Sequence, residues 1–136
     1  MIKVLLVDDN NKFLQAAKGF LALEPEFEVI GEACTGHDAL KQISHLGPDL
    51  VLLDLVLPDI NGFEITRQIK LTAPSPKVII LTLHDQPQYR DLAQFVEADG
   101  FVSKADFGTD LVPLVNKMLN DSGQEQYFGA YQGADQ

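Results

Sequence analysis

Asp8 and Asp9, and further on Asp54, each stand at the point where an apolar run stops. The runs are Ile2-Lys3-Val4-Leu5-Leu6-Val7 and Leu50-Val51-Leu52-Leu53. Apolar runs of that length without alternation read as strands of a parallel sheet, buried on both faces. Residues that follow such strands lie at the carboxyl edge of the sheet, where open α/β folds place their sites. Carboxylates gathered there repel one another unless a cation or a proton intervenes. The chemistry on offer is therefore cation binding or proton sharing among clustered acids.

The elements that must position these acids alternate along the chain. A first strand over residues 2–7 leads to a helix over 11–23, with Phe13, Ala17, Phe20 and Leu21 at helical spacing. Glu24-Pro25-Glu26 breaks it before a strand over 27–33 and a helix over 36–46, which Gly47-Pro48 ends. A strand over 50–54, a turn-rich loop and a helix over 63–71 follow, with Pro74 and Pro76 closing that helix. A strand over 77–82, a helix over 87–97, a short strand over 101–103 and a helix over 109–120 complete the pattern. Pro113 is compatible with the last helix only in its first turn, which sets the expected start. Residues 121–136 contain acids, glycines and glutamines but no Lys or Arg, and read as a flexible acidic tail after one domain at 1–120. Strict βα alternation calls for a parallel sheet covered on both sides through right-handed crossovers, but it leaves the strand order open.

Composition narrows the partners. Lys and Arg total 10 against 20 Asp and Glu, a net charge of −10, so phosphate backbones and anionic lipid would repel the chain. Direct nucleic-acid binding and membrane binding are not expected; proteins and metal cations are. The apolar stretches are strand-sized, far below the roughly 20 residues of a membrane span. No signal-peptide pattern opens the sequence at Met1-Ile2-Lys3. The single cysteine, Cys34, excludes an internal disulfide, suits a reducing cytoplasm and reads as a small buried or half-buried thiol at a strand end.

Taken in order, these residues resemble the receiver domain of bacterial two-component response regulators over about residues 1–120. The resemblance rests on Asp8-Asp9 after the first strand and on Asp54-Leu55-Val56-Leu57-Pro58-Asp59-Ile60-Asn61-Gly62, which matches an Asp-x-x-x-Pro-x-x-x-Gly loop. Thr82 at the end of the fourth strand and Lys104 after the fifth complete it. Leu81-Thr82-Leu83-His84-Asp85, Tyr89 and Gly100-Phe101-Val102-Ser103-Lys104-Ala105-Asp106 are most similar to receivers of the LuxR/NarL class. That class joins its receiver to a helix-turn-helix domain, so the chain is expected to be a stand-alone receiver or the regulatory half of a transcriptional regulator.

The resemblance implies a flavodoxin-like (βα)5 three-layer sandwich with strand order 2-1-3-4-5. It implies that Asp54 accepts a phosphoryl group from a sensor histidine kinase or a histidine phosphotransfer protein. Carboxylate nucleophiles of this kind are known, and phosphoryl transfer depends mostly on positioning and charge neutralisation. Asp9 and Asp54 would bind Mg2+ (or Mn2+) directly, Asp8 mainly through water, and the Val56 carbonyl would add a backbone ligand. Thr82 and Lys104 would reach the phosphoryl oxygens, and Phe101 would be the aromatic switch residue. The surface of the fourth helix, fifth strand and fifth helix would then bind an output domain, a protein partner or a second copy. The bland alternatives are that Asp9 or Asn10 merely caps the first helix and that Phe101 merely fills the core.

Two departures from the family pattern carry consequences. Ala105 follows Lys104 where the family often has proline, so a trans bond and a differently shaped loop are expected. Val56 and His84 flank the expected water path to phosphorus, and an apolar Val56 cannot orient water, which implies slow self-dephosphorylation. His37, His45 and His84 are too scattered to form a metal set, and His37 and His45 read as surface or loop residues. Three rivals remain. A Mg2+-dependent phosphohydrolase of the haloacid dehalogenase type would need an acid where Val56 stands. A flavodoxin-like electron carrier would need a phosphate loop where Asp8-Asp9 stands, and the last rival is a binding module that is never phosphorylated.

Overall fold

Strand and helix alternate along the chain because each apolar run finds helices on both of its faces. The computed structural model describes residues 1–83, 86–120 and 127–128. The strands are β1 (Ile2–Val7), β2 (Phe27–Ala33), β3 (Leu50–Asp54), β4 (Lys77–Thr82) and β5 (Gly100–Ser103), all parallel. Between and after them run α1 (Asn11–Ala22), α2 (Gly36–Leu46), α3 (Gly62–Lys70), α4 (Pro87–Phe95) and α5 (Phe107–Asn120). The order β2-β1-β3-β4-β5 is the flavodoxin-like order that the resemblance implied. A two-residue strand, β6 (Tyr127–Phe128), adds in parallel to β5 and pairs Gly100 with Tyr127. It falls within the stretch expected to be a tail, the remainder of which lies outside the described residues.

Successive strand residues feed opposite cores. Val4, Leu6, Leu50, Leu52, Ile79 and Leu81 pack with Leu14, Leu21, Leu111 and Val115 beneath α1 and α5. Leu5, Val7, Val51, Leu53, Val78 and Ile80 pack with Ala39, Ile65 and Ala93 beneath α2, α3 and α4. Complete burial of each such side chain contributes about 1.5–3 kcal/mol, which ties the central strands to both helical layers. Helix starts follow local chemistry: Asn10 accepts from the Phe13 N–H, Thr35 from Asp38 and Asn61 from Glu64. Gly47 ends α2 in the left-handed conformation, at φ 60°, which glycine adopts without a Cβ penalty.

The last helix departs from expectation. A 3-10 turn over Lys104–Asp106 runs directly into α5 at Phe107, so Pro113 lies in the second turn rather than the first. Its missing N–H would have bonded to the Thr109 carbonyl, but both residues face solvent, so water can serve that carbonyl. The early start comes from Phe107, whose buried ring meets Phe13 and Phe20 edge-on at 5.4 and 5.5 Å.

Candidate metal centre

Sheet register brings the acids together. Val7 lies beside Leu53 and Asp54 beside Leu81, so Asp8, Asp54 and Thr82 end neighbouring strands almost abreast. Thr82 lies beside Ser103, and Lys104 follows at once. Carboxylate oxygens of Asp8, Asp9 and Asp54 all lie within 4.8 Å of one another. The three share a cleft of about 250 Å3 with Val56, Thr82 and Lys104.

The charges in this cleft do not balance. The Lys104 Nζ lies 2.6 Å from Asp8 Oδ2 and 3.1 Å from Asp54 Oδ1, with its side chain only 6% exposed. Asp8 Oδ1 accepts the Asn10 N–H at 2.8 Å. Asp8 Oδ2, by contrast, is buried and has no well-directed hydrogen bond, so the ammonium meets it as a charge alone. Burial pushes the Asp54 carboxyl up to about 6; the Asp8 charge adds to the rise and Lys104 opposes it. Among the described residues, three carboxylates thus face one ammonium. A hard dication takes oxygen ligands of this kind, and a buried, poorly bonded carboxylate oxygen suits one. The residues present fit a divalent cation.

The surroundings explain the loop sequence. The Gly62 N–H donates to the Leu55 carbonyl at 2.8 Å, and a Cβ on Gly62 would stand 2.8 Å from the Asp54 carbonyl oxygen. Only glycine allows α3 to start that close to the strand it left. Helix capping falls to Asn10, so Asp9 is not required for it and stays in the cleft. Thr82 is buried at its strand end, and Phe101 is buried with the Arg90 guanidinium 5.0 Å from its ring centroid. Val56 turns its side chain outward, 66% exposed, while His84 lies outside the described residues. The bond before Ala105 is trans, as expected for a non-proline, and Ser103 caps the 3-10 turn that follows β5.

A family model, the response regulator receiver domain, matches residues 4–116. The chain belongs to that family. Among curated relatives, the receiver is 36% identical over 118 residues to the response regulator protein VraR of Staphylococcus aureus, covering 85% of this chain and 56% of VraR. It is 34% identical over 103 residues to the transcriptional regulatory protein DegU of Brevibacillus brevis, covering 76% of this chain and 44% of DegU. The chain thus spans about half the length of these relatives. Among solved structures, the receiver domain of NarL from Mycobacterium tuberculosis superposes with a TM-score of 0.82 at 27% identity, covering 89% of this chain and 98% of that one. A LuxR-family DNA-binding response regulator from Staphylococcus aureus superposes at 0.81 with 30% identity, covering 87% and 98%.

Two partners of the site escaped sequence reasoning, and the burial expected of Cys34 was wrong. The Phe13 ring lies 4.5 Å beneath the Lys104 ammonium and so seats it. Its position one helical turn after Asp9 was the available signal, but helical spacing also marked it as core. Arg90 over Phe101 left no signal in the sequence. Cys34, expected to be buried or half buried, is exposed: it stands just past Ala33, the last residue of the edge strand β2, whose single neighbour is β1. Among the described residues, no helix is long and apolar enough to cross a membrane.

Proposed function

We propose that the chain is a phosphorylation-driven signalling switch in which Asp54 takes a phosphoryl group from a phosphohistidine of a sensor kinase or phosphotransfer protein. The observation that carries this reading is the meeting of three carboxylates within 4.8 Å beside a buried lysine, at the end of the strand that bears Asp54. An Asp54 oxygen attacks phosphorus, the new O–P bond forms, and the P–N bond to the donor imidazole breaks, its electron pair remaining on nitrogen. Asp9 and Asp54, Asp8 through water, and the Val56 carbonyl would hold Mg2+ or Mn2+. Such a cation, when bound, supplies charge neutralisation for the phosphoryl oxygens.

Lys104 is already held by the two carboxylates and needs only to turn one N–H toward the phosphoryl group. The Thr82 hydroxyl donates from the neighbouring strand end. Two hydrogen bonds to a charged group contribute about 1.5–3 kcal/mol each. Their sum approaches the roughly 5.5 kcal/mol that moves a two-state switch from mostly off to mostly on. Movement of Thr82 and Phe101 would then reshape α4, β5 and α5. Exposed Leu92 and Phe95 give α4 the apolar surface that an output domain, a protein partner or a second copy would cover. The similarity to VraR and DegU supports a role as the regulatory half of a transcriptional regulator in a two-component system, located in the cytoplasm. In this reading the chain catalyses only its own phosphorylation and dephosphorylation. With Val56 apolar, and His84 the other tuning position, dephosphorylation is slow; decay within minutes without a phosphatase would overturn that point.

Acetyl phosphate with Mg2+ should label the protein, and Asp54→Asn should abolish the label. Persistent labelling of that variant would move the acceptor to another residue.

A further inference from the structure

We propose that Asp59 is a positioning residue for this site: by tying the 54–61 loop to the N-terminus of α2, it sets where the Val56 carbonyl stands. The inference deepens the proposed function and rests on it.

The loop leaves the sheet at Asp54 and re-enters a helix at Gly62, where the Leu55 carbonyl accepts the Gly62 N–H at 2.8 Å. Leu55 and Leu57 are buried on either side of Val56, whose own side chain points to solvent and anchors nothing. The far end of the loop therefore needs a tether of its own. Asp59 provides it. Its Oδ1 accepts the Gly36 N–H at 2.7 Å and the Ile60 N–H at 2.9 Å. Its Oδ2 accepts the His37 N–H at 2.9 Å and meets His37 Nδ1 at 2.6 Å.

These bonds are not simply the cap that α2 would need anyway. Thr35 already caps α2 from within its own segment, accepting the Asp38 N–H at 3.1 Å. Asp59 reaches across from a loop more than twenty residues away and takes the two N–H groups that Thr35 leaves open. Gly36 makes the approach possible: a Cβ there would stand 3.1 Å from Ile60 Cβ and 2.7 Å from Ile65 Cδ1. Backbone N–H donors hold the Asp59 carboxyl well below the usual carboxylate range, so the tether keeps its charge throughout the neutral range. A carboxylate on helix N–H groups is also favoured by the helix dipole.

Groups that orient a metal ligand without touching the metal typically change affinity 10–100-fold when removed. Asp59→Ala should therefore weaken Mg2+ binding about tenfold by isothermal titration calorimetry. The Mg2+ concentration that half-saturates acetyl phosphate labelling should rise in parallel, while the labelling rate at saturating Mg2+ stays close to wild type. In metal-free protein, amide exchange at Val56 and Leu57 should accelerate. Asp59→Asn, which keeps one acceptor oxygen, should fall between the two. A folded Asp59→Ala protein with wild-type Mg2+ affinity would overturn the inference and reduce Asp59 to a cap. Should Asp59→Ala fail to fold, the same readouts on Asp59→Asn decide: a shift supports the tether, and unchanged Mg2+ affinity overturns it. Wild-type protein that neither binds Mg2+ nor accepts phosphate would sink the proposed function itself, and the inference with it.

Discussion

At the amino edge of the sheet Asp99 sits between two lysines, whereas at the carboxyl edge Asp8, Asp9 and Asp54 crowd around Lys104. Asp99 Oδ2 lies 2.6 Å from Lys70 Nζ and accepts the Val78 N–H at 2.8 Å, while Oδ1 is 3.8 Å from Lys77 Nζ. Asp49 at the same edge accepts the Lys3 N–H at 2.9 Å. There the chain satisfies its own acids, and they hold strands in place. At the other edge the acids outnumber the cation among the described residues, and burial disfavours the ionised form of Asp54. One residue type therefore serves stability at one end of the sheet and readiness for a ligand at the other. What separates the two roles is whether charge closes within the chain.

The largest test breaks the balanced edge. Asp99→Ala removes the carboxylate that Lys70 and the Val78 N–H share, although Lys70 keeps the Pro76 carbonyl and Lys77 reaches water, and should lower stability by about 2–3 kcal/mol in urea denaturation while leaving Mg2+ affinity unchanged. A matching loss of Mg2+ affinity would mean that the two edges are not independent. The next test relieves the unbalanced edge. Asp54→Asn should stabilise metal-free protein at neutral pH by about 1–2 kcal/mol, the reverse of the usual effect of losing a buried side chain.

The pH profile sharpens the same point. Asp54 titrates near 6 in the folded chain against an ordinary 3.8, so the folded state holds that proton more tightly. Its contribution is fully present below about pH 4 and declines as pH rises toward 6, and Asp54→Asn should flatten that part of a stability–pH curve. Because a bound cation competes with the same proton, Mg2+ affinity should rise across this interval; an affinity independent of pH would separate Asp54 from the metal. The smallest effect concerns the seat of the lysine. A double-mutant cycle of Phe13→Leu with Lys104→Met should return a coupling of about 0.5–1 kcal/mol in stability. No coupling would leave Phe13 as core packing only.

Much of this was legible because local rules agreed with the global fold. Val4–Val7 and Leu50–Leu53 announced doubly covered strands, Gly47 and the prolines marked helix ends, and Asp8, Asp9 and Asp54 marked the strand termini. The strand order was not in the alternation and came only with the family resemblance. The start of α5 was misplaced because the rule for Pro113 is local, while the burial of Phe107 between two rings of α1 is not.

By itself, then, the sequence determined which side chains could meet at the carboxyl edge, since strand length and period place each terminal acid within a residue or so. Tertiary structure alone decided how they meet: that Lys104 lies between two carboxylates over the Phe13 ring, that Cys34 is exposed, and that Asp59 spans to α2. Those contacts join segments distant along the chain, and their distances follow from packing of both helical layers, which no local pattern of residues encodes.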